Sequence, residues 1–252
     1  MYKIPANTLF IGKNLIFVPE CHSTNDLAIA KSHEPDIVEG TVVITDNQTA
    51  GRGQRGNVWK ASPGMNLTFS LILKPAFLQP KDQFYLNIVT SLAVRDFLQT
   101  KTDAEIKVKW PNDVLINGKK LCGILIENQL MGNRISNTVA GIGLNINQRV
   151  FDLPTATSLT LIADKTFILP EVLEQLLSHL EARYLELVHG NYERLMTHYE
   201  QALHWYGSVH QFSSNGETFT GVILGVDNAG RLKISVDGTI RVFAVKEIVY
   251  VA

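Results

Sequence analysis

Two periods of hydrophobic and polar positions divide this chain. Ser23-Thr24-Asn25 leads into Asp26-Leu27-Ala28-Ile29-Ala30, a side-chain-capped helix start that runs to Lys31. Residues 41–45 form a β-branched strand and residues 67–74 a second one. Tyr85, Ile88, Val89, Leu92, Val94 and Leu98 recur at helical spacing, which predicts an amphipathic helix over 84–98. Strands follow at 106–109, 114–116, 121–127 and 138–144, with Asn117-Gly118 as a hairpin turn. From 170 to 206 the period is helical again, through Val172, Leu173, Leu176, Leu177, Leu180, Leu195 and Tyr199. After Gly207 short strands are broken by Asn215-Gly216, Asp227-Asn228-Ala229-Gly230 and Asp237-Gly238. The pattern predicts an α+β chain: a mixed β-sheet flanked by helices over residues 1–206, then a small β-barrel over 207–252.

Composition narrows the class. Of 252 residues, 45% are apolar and 19% charged, enough to build a core and too few charges for a disordered chain. The net charge of −1 lacks the basic footprint of a nucleic-acid binder, so no DNA is expected as a partner. Cys21 and Cys122 form no metal or redox motif and suit a reducing compartment. Cys122 lies in an apolar run, as a small buried hydrophobe would. No apolar run approaches membrane-spanning length, and the start Met1-Tyr2-Lys3-Ile4-Pro5 has no signal-peptide core. The expectation is a soluble cytoplasmic protein without a membrane partner.

Three segments carry candidate chemistry. Gly51-Arg52-Gly53-Gln54-Arg55-Gly56 has the letters of a dinucleotide fingerprint, but Asn57-Val58-Trp59-Lys60 is a poor helix start, which argues against a Rossmann site. Its glycines let a loop fold around an anion, and Arg52 and Arg55 suit phosphate or carboxylate oxygens; a solvated loop is the alternative. Trp59 could stack on a ring or fill core. Lys109-Trp110-Pro111-Asn112-Asp113 makes an ordinary turn and also places an amide and a carboxylate where a metal-bound nucleotide could sit. Lys119-Lys120 opens a strand, with one lysine able to face a cleft. In Gly141-Ile142-Gly143-Leu144-Asn145 the alternating glycines suit close approach of a ligand or of another strand.

Together these segments resemble, in order and spacing, the catalytic domain of biotin protein ligases over about residues 10–150. The residues that carry the resemblance are Ser23-Thr24-Asn25, Gln48 with Gly51 to Gly56, Lys109 to Asp113, Lys120-Leu121-Cys122-Gly123, and Gly141 to Asn145. The resemblance implies the class II synthetase-like biotin–lipoate ligase fold, with a C-terminal SH3-like β-barrel. It implies ATP-dependent biotinylation of a lysine on a biotin carboxyl carrier protein or domain, through biotinyl-5′-AMP. Biotin would meet Ser23, Thr24, Asn25, Gln48, Gly51, Arg52, Gly53, Gln54, Lys120 and Gly123. The nucleotide would meet Arg52, Gln54, Arg55, Trp59, Asn112, Asp113 and Asn145. Lys120, Arg52 and Asp113 would act in catalysis, with ATP and Mg²⁺ required and no metal ligand assigned directly. A monomer or a homodimer is expected.

Two departures from the family pattern stand out. Bifunctional members carry a DNA-binding domain ahead of the Ser-Thr-Asn cluster, whereas 22 residues precede Ser23 here, so the monofunctional form is expected. Gln54 stands where those members often have arginine, so a looser hold on the adenylate is expected. The alternatives are a lipoate ligase of the same fold, a non-catalytic binding module, and a Ser/His hydrolase. The last lacks a G-x-S-x-G elbow.

Overall fold

The computed structural model describes residues 2–251, apart from the Arg55 side chain. In chain order the strands are β1 (Leu15–Cys21), β2 (Val42–Gln48), β3 (Leu67–Leu73), β4 (Ile106–Lys109), β5 (Asp113–Ile116), β6 (Lys119–Met131) and β7 (Arg134–Leu144). They form one sheet in the order β1-β2-β3-β7-β6-β5-β4, with β1 and β2 parallel and every other pair antiparallel. The expected mixed sheet is therefore present. The sequence pattern did not reveal β1, whose residues are mostly half-buried or exposed and lack a clean alternation.

The helices are α1 (Thr24–Lys31), α2 (Phe84–Gln99), α3 (Leu159–Ala163), α4 (Leu169–Val188) and α5 (Tyr192–Ala202). The helical period over 170–206 is thus two helices. The chain turns at Gly190, whose φ of +76° ends α4 in a conformation that glycine adopts freely. The five-residue α3 was not expected from the sequence.

Helices cover the two sheet faces unequally. Leu67, Phe69, Leu71 and Leu73 of β3 pack with Leu92, Phe97, Leu176 and Leu180 of α2 and α4 in the main core. The opposite face carries only a small cluster of Ala28, Ile37, Val43, Ile72 and Val139 beneath α1. The thinly covered face leaves room for a pocket.

Strands β8 (Val209–Ser214), β9 (Glu217–Val226), β10 (Leu232–Val236), β11 (Thr239–Phe243) and β12 (Val249–Val251) form a second, antiparallel sheet in the order β11-β10-β9-β8-β12. Among the described residues no ladder joins β11 to β12, so this sheet stands open. It is tied to the larger sheet by the Trp110 indole, which donates to the Gly230 carbonyl at 2.8 Å. The turn that holds Asn112 and Asp113 is therefore backed by the second sheet. No helix among the described residues is long and apolar enough to cross a membrane.

Candidate active site

Register builds the floor of the pocket. Residues opposite one another across a sheet share a face. Thr68, Gly143, Gly123 and Asp113 form one such row across four strands, and Ser70, Gly141 and Leu125 form the next. Glycine occupies the central positions of these rows because other groups lie where its Cβ would be. A Cβ on Gly143 would overlap the Trp59 indole, and one on Gly123 would come to 3.1 Å of the same ring. A Cβ on Gly141 would overlap the Asn25 amide. The expected close approach is present, but the visitor is neither a ligand nor another strand: it is a side chain, Trp59 or Asn25.

A bulge aims the lysine. Cys122 pairs with Val114 and Lys120 with Leu115, which leaves Leu121 as an extra residue on β6. Strict alternation would place Lys120 opposite to Gly123; the extra residue brings both to the pocket face. Leu121 is fully buried in the main core. Lys120 Nζ then lies 2.6 Å from Asp113 Oδ1 and 5.9 Å from the centre of the Trp59 ring. Lys119 is exposed, so the lysine pair divides between cleft and solvent. Burial pushes the neighbouring Cys122 thiol well up, so it is no nucleophile. Both cysteines are free.

The glycine-arginine loop closes on itself without a following helix. Trp59 N–H donates to the Gly51 carbonyl at 3.0 Å and Gly53 N–H to that of Asn57 at 2.7 Å, around a single 3₁₀ turn at Gln54–Gly56. The Rossmann alternative is excluded by this geometry. Arg52 NH2 lies 2.6 Å from Asp26 Oδ1 of α1 and 2.8 Å from Glu127 Oε2 of β6. Partial burial works against its charge, but the hydrogen bond and charge of Glu127, then those of Asp26, push its pKa above the ordinary value. The Arg55 side chain, expected at the nucleotide, lies outside the described residues.

The start of α1 supplies a polar wall. Ser23 caps the helix, its hydroxyl accepting from Asp26 N–H at 3.4 Å. Gln48 Oε1 accepts from Thr24 N–H at 2.7 Å. Asn25 Nδ2 donates to Glu127 Oε2 at 2.7 Å and to the Leu125 carbonyl at 3.2 Å. Asn112 Nδ2 donates to the Ile124 carbonyl at 2.6 Å, which pins the Pro-Asn-Asp turn to β6.

These residues line a cavity of about 120 Å³ that contains Ser23, Thr24, Asn25, Gln48, Arg52 and Gly53 toward one side. Gln54, Trp59, Asn112, Asp113, Lys120 and Gly123 complete it. Gly51 sits beside it under Gln48. A second cavity of about 710 Å³ shares Val58, Trp59 and Lys120 with the first and reaches Asn145, Phe151 and Leu153. Asn145 therefore stands apart from the other expected residues. Its Nδ2 donates to the Thr157 carbonyl at 3.0 Å, while its buried Oδ1 has no partner. The buried Trp59 Nε1 is also unpartnered.

Sequence reasoning missed Ser70 and Glu127. Ser70, fully buried, touches both Thr24 and Asn25, and Glu127 joins Asn25 to Arg52. A signal for Ser70 existed: Thr68 and Ser70 put hydroxyls on alternate positions of an otherwise apolar strand. Glu127 gave none.

The profile of the Biotin/lipoate A/B protein ligase family matches residues 18–145. The chain is 33% identical to the bifunctional ligase/repressor BirA of Bacillus subtilis over 242 residues, covering 93% of this chain and 73% of that protein. It is 29% identical to the biotin–[acetyl-CoA-carboxylase] ligase of Mycobacterium tuberculosis, covering 94% of this chain and 89% of that one. Among solved structures, the biotin protein ligase from Aquifex aeolicus in complex with biotin and ATP superposes with a TM-score of 0.78. The two are 28% identical, over 94% of this chain and 98% of that chain.

Proposed function

This chain belongs to the biotin/lipoate A/B protein ligase family as a biotin protein ligase, and from that premise we propose how two of its cavities divide the work. The enzyme joins biotin to a protein lysine with consumption of ATP, through biotinyl-5′-AMP. The observation that carries the division is that the two cavities meet at Trp59 and Lys120. A biotin carboxylate at the end of the first and a nucleotide entering from the second come together at one ammonium group.

The polar wall takes the ureido ring. A buried ring with donors and an acceptor needs each of them met, and Ser23, Thr24, Asn25 and Gln48 offer hydroxyl and amide groups for this. Gly51, Gly53 and Gln54 cover the ligand, and Gly123 admits the Trp59 ring beside it. Asn145 Oδ1, buried without a partner, is available to a donor such as an adenine amino group. Trp59, between the cavities, lies against both ligands.

In the first step a biotin carboxylate oxygen attacks the α-phosphorus of ATP and pyrophosphate leaves. Both reactants are anionic, so Lys120 and Arg52 stabilise the charge that gathers between them. Arg55 belongs to the same reading. Among the described residues no cluster of three His, Cys, Asp or Glu side chains could hold a metal of its own. Asp113 is the acidic side chain lining the first cavity, so Mg²⁺ fits as a guest of the phosphates beside Asp113 and Asn112. Held there, it would supply neutralisation of phosphate charge. In the second step a neutral acceptor lysine attacks the acyl carbon and AMP leaves. Asp113, which holds Lys120, is the carboxylate on this wall able to receive the amine's proton.

The acceptor is the carrier domain of a biotin-dependent carboxylase, and the reaction takes place in the cytoplasm. Residues 1–206 form the catalytic domain, and residues 207–252 form an SH3-like module whose open antiparallel sheet supports the catalytic turn through Trp110. Lipoate is the weaker substrate on physical grounds. Its dithiolane has no donors, and would leave the Thr24–Gln48 wall buried with nothing to bond. Biotin-dependent release of pyrophosphate from ATP tests the assignment: release with biotin and none with lipoate is expected, and the reverse would overturn it.

A further inference from the structure

A serine hydroxyl has one proton to give. Ser70 Oγ lies 2.6 Å from Asn25 Oδ1 and 2.8 Å from Thr24 Oγ1, buried from solvent. The direction of the Asn25 amide is fixed on its other side. Its Nδ2 faces the Leu125 carbonyl and the Glu127 carboxylate, and a flipped amide would set oxygen against both. Asn25 Oδ1 therefore points to Ser70, and since an amide oxygen cannot donate, the Ser70 proton goes to it. At the 2.8 Å contact the proton then has to come from Thr24. The Thr24 hydroxyl is also within donating distance of Gln48 Oε1 at 3.1 Å, an oxygen that accepts the Thr24 N–H at 2.7 Å; the three oxygen contacts share two hydroxyl protons, and the longest is the one left without. With its proton committed to Ser70, the Thr24 hydroxyl has only lone pairs left for the cavity.

We propose that Glu127 is a positioning residue for biotin: through Asn25 and Ser70 it holds the Thr24 hydroxyl as an acceptor for a ureido N–H. The same carboxylate accepts from Arg52 NH2 at 2.8 and 3.0 Å, so its charge has a fixed partner from the glycine loop. The order of protons runs from Thr24 to Ser70 to Asn25, while Asn25 and Arg52 both donate to Glu127. A wall ordered in this way rejects a ligand that offers a lone pair at Thr24, because two acceptors would then face each other. The proposal rests on the reading that the ureido ring lies against this wall.

The test is steady-state kinetics of the full chain, with KM measured separately for biotin and ATP. Ser70→Ala breaks the relay without touching Arg52. It is expected to raise the biotin KM about tenfold, the scale of one oriented hydrogen bond, and to leave kcat and the ATP KM within about twofold. Glu127→Ala should raise the biotin KM by a similar factor. Glu127→Gln retains an oxygen that can accept from Asn25, and should keep the biotin KM within about threefold of the original. A normal biotin KM for Ser70→Ala, or equal damage from Glu127→Gln and Glu127→Ala, overturns the proposal. Should Ser70→Ala fail to fold, the Glu127 pair decides alone, since that side chain is 29% exposed and tolerant of change. Thr24→Ala and Gln48→Ala separate the two levels. If neither changes the biotin KM, the wall does not hold biotin; if both raise it while the Ser70 and Glu127 variants do not, the proton order alone is wrong.

Discussion

On the α1 side of the pocket Thr24, Asn25, Ser70 and Gln48 are bonded to one another, whereas on the lysine side two buried atoms, Trp59 Nε1 and Asn145 Oδ1, have no partner. The first wall is held in place before any ligand arrives. Its side chains lose little freedom on binding, which favours affinity and selectivity. The second wall has hydrogen-bonding capacity in reserve, and groups of this kind in a folded protein call for a partner. Its charged member Lys120 is half-exposed and held by an ion pair to Asp113. On the proposed reading, one side selects a ligand by fixed bonds and the other exchanges its internal pair for bonds to reacting oxygens.

The sharpest way to break this comparison is Lys120→Ala. It should lower the rate of adenylate formation more than about a hundredfold, the scale of one preorganised charge stabiliser. Biotin affinity measured calorimetrically without ATP should fall far less. An equal loss in both would mean that the walls do not act separately. Next in size is Gly143→Ala, which places a methyl group in the Trp59 indole. Overpacking of this kind costs about 2 kcal/mol of stability, so a lower melting temperature is expected, with a raised ATP KM and a shift in tryptophan emission. An unchanged emission spectrum would show that Trp59 does not rest on the glycine floor.

Much of this architecture was legible in the chain, for physical reasons that differ by element. Helix α2 was readable because a helix packed on one face of a sheet repeats its apolar residues every three or four positions. The β5–β6 hairpin was readable from Asn117-Gly118, whose φ values of +47° and +75° suit those residue types. The break between α4 and α5 was hidden, because Leu195 and Tyr199 keep the apolar period across it. The position of Lys120 came from the family resemblance and was not derivable from the pattern. A one-residue bulge at Leu121 reverses the face, and periodicity alone cannot locate such a bulge. Glu127 was invisible because its role depends on two residues 75 and 102 positions away in sequence. Local pattern predicts elements; long-range pairing decides what a site contains.

Two smaller effects sharpen the comparison further. Asn145→Ala should raise the ATP KM about tenfold and leave the biotin KM within about twofold, as expected for one hydrogen bond on the nucleotide side. A rise in the biotin KM instead would move Asn145 to the other wall. Gln54→Arg replaces a neutral hydrogen bond by a charge-assisted one and should slow the release of biotinyl-5′-AMP about fivefold, measured by stopped-flow displacement. An unchanged release rate would remove Gln54 from contact with the adenylate.

The most direct test of the shared junction at Lys120 is native mass spectrometry of the protein after incubation with biotin, ATP and Mg²⁺. Bound biotinyl-5′-AMP is expected in the unaltered chain and absent from Lys120→Ala. Biotin and ATP bound together but unreacted in the unaltered chain, or full adenylate in Lys120→Ala, would contradict the account.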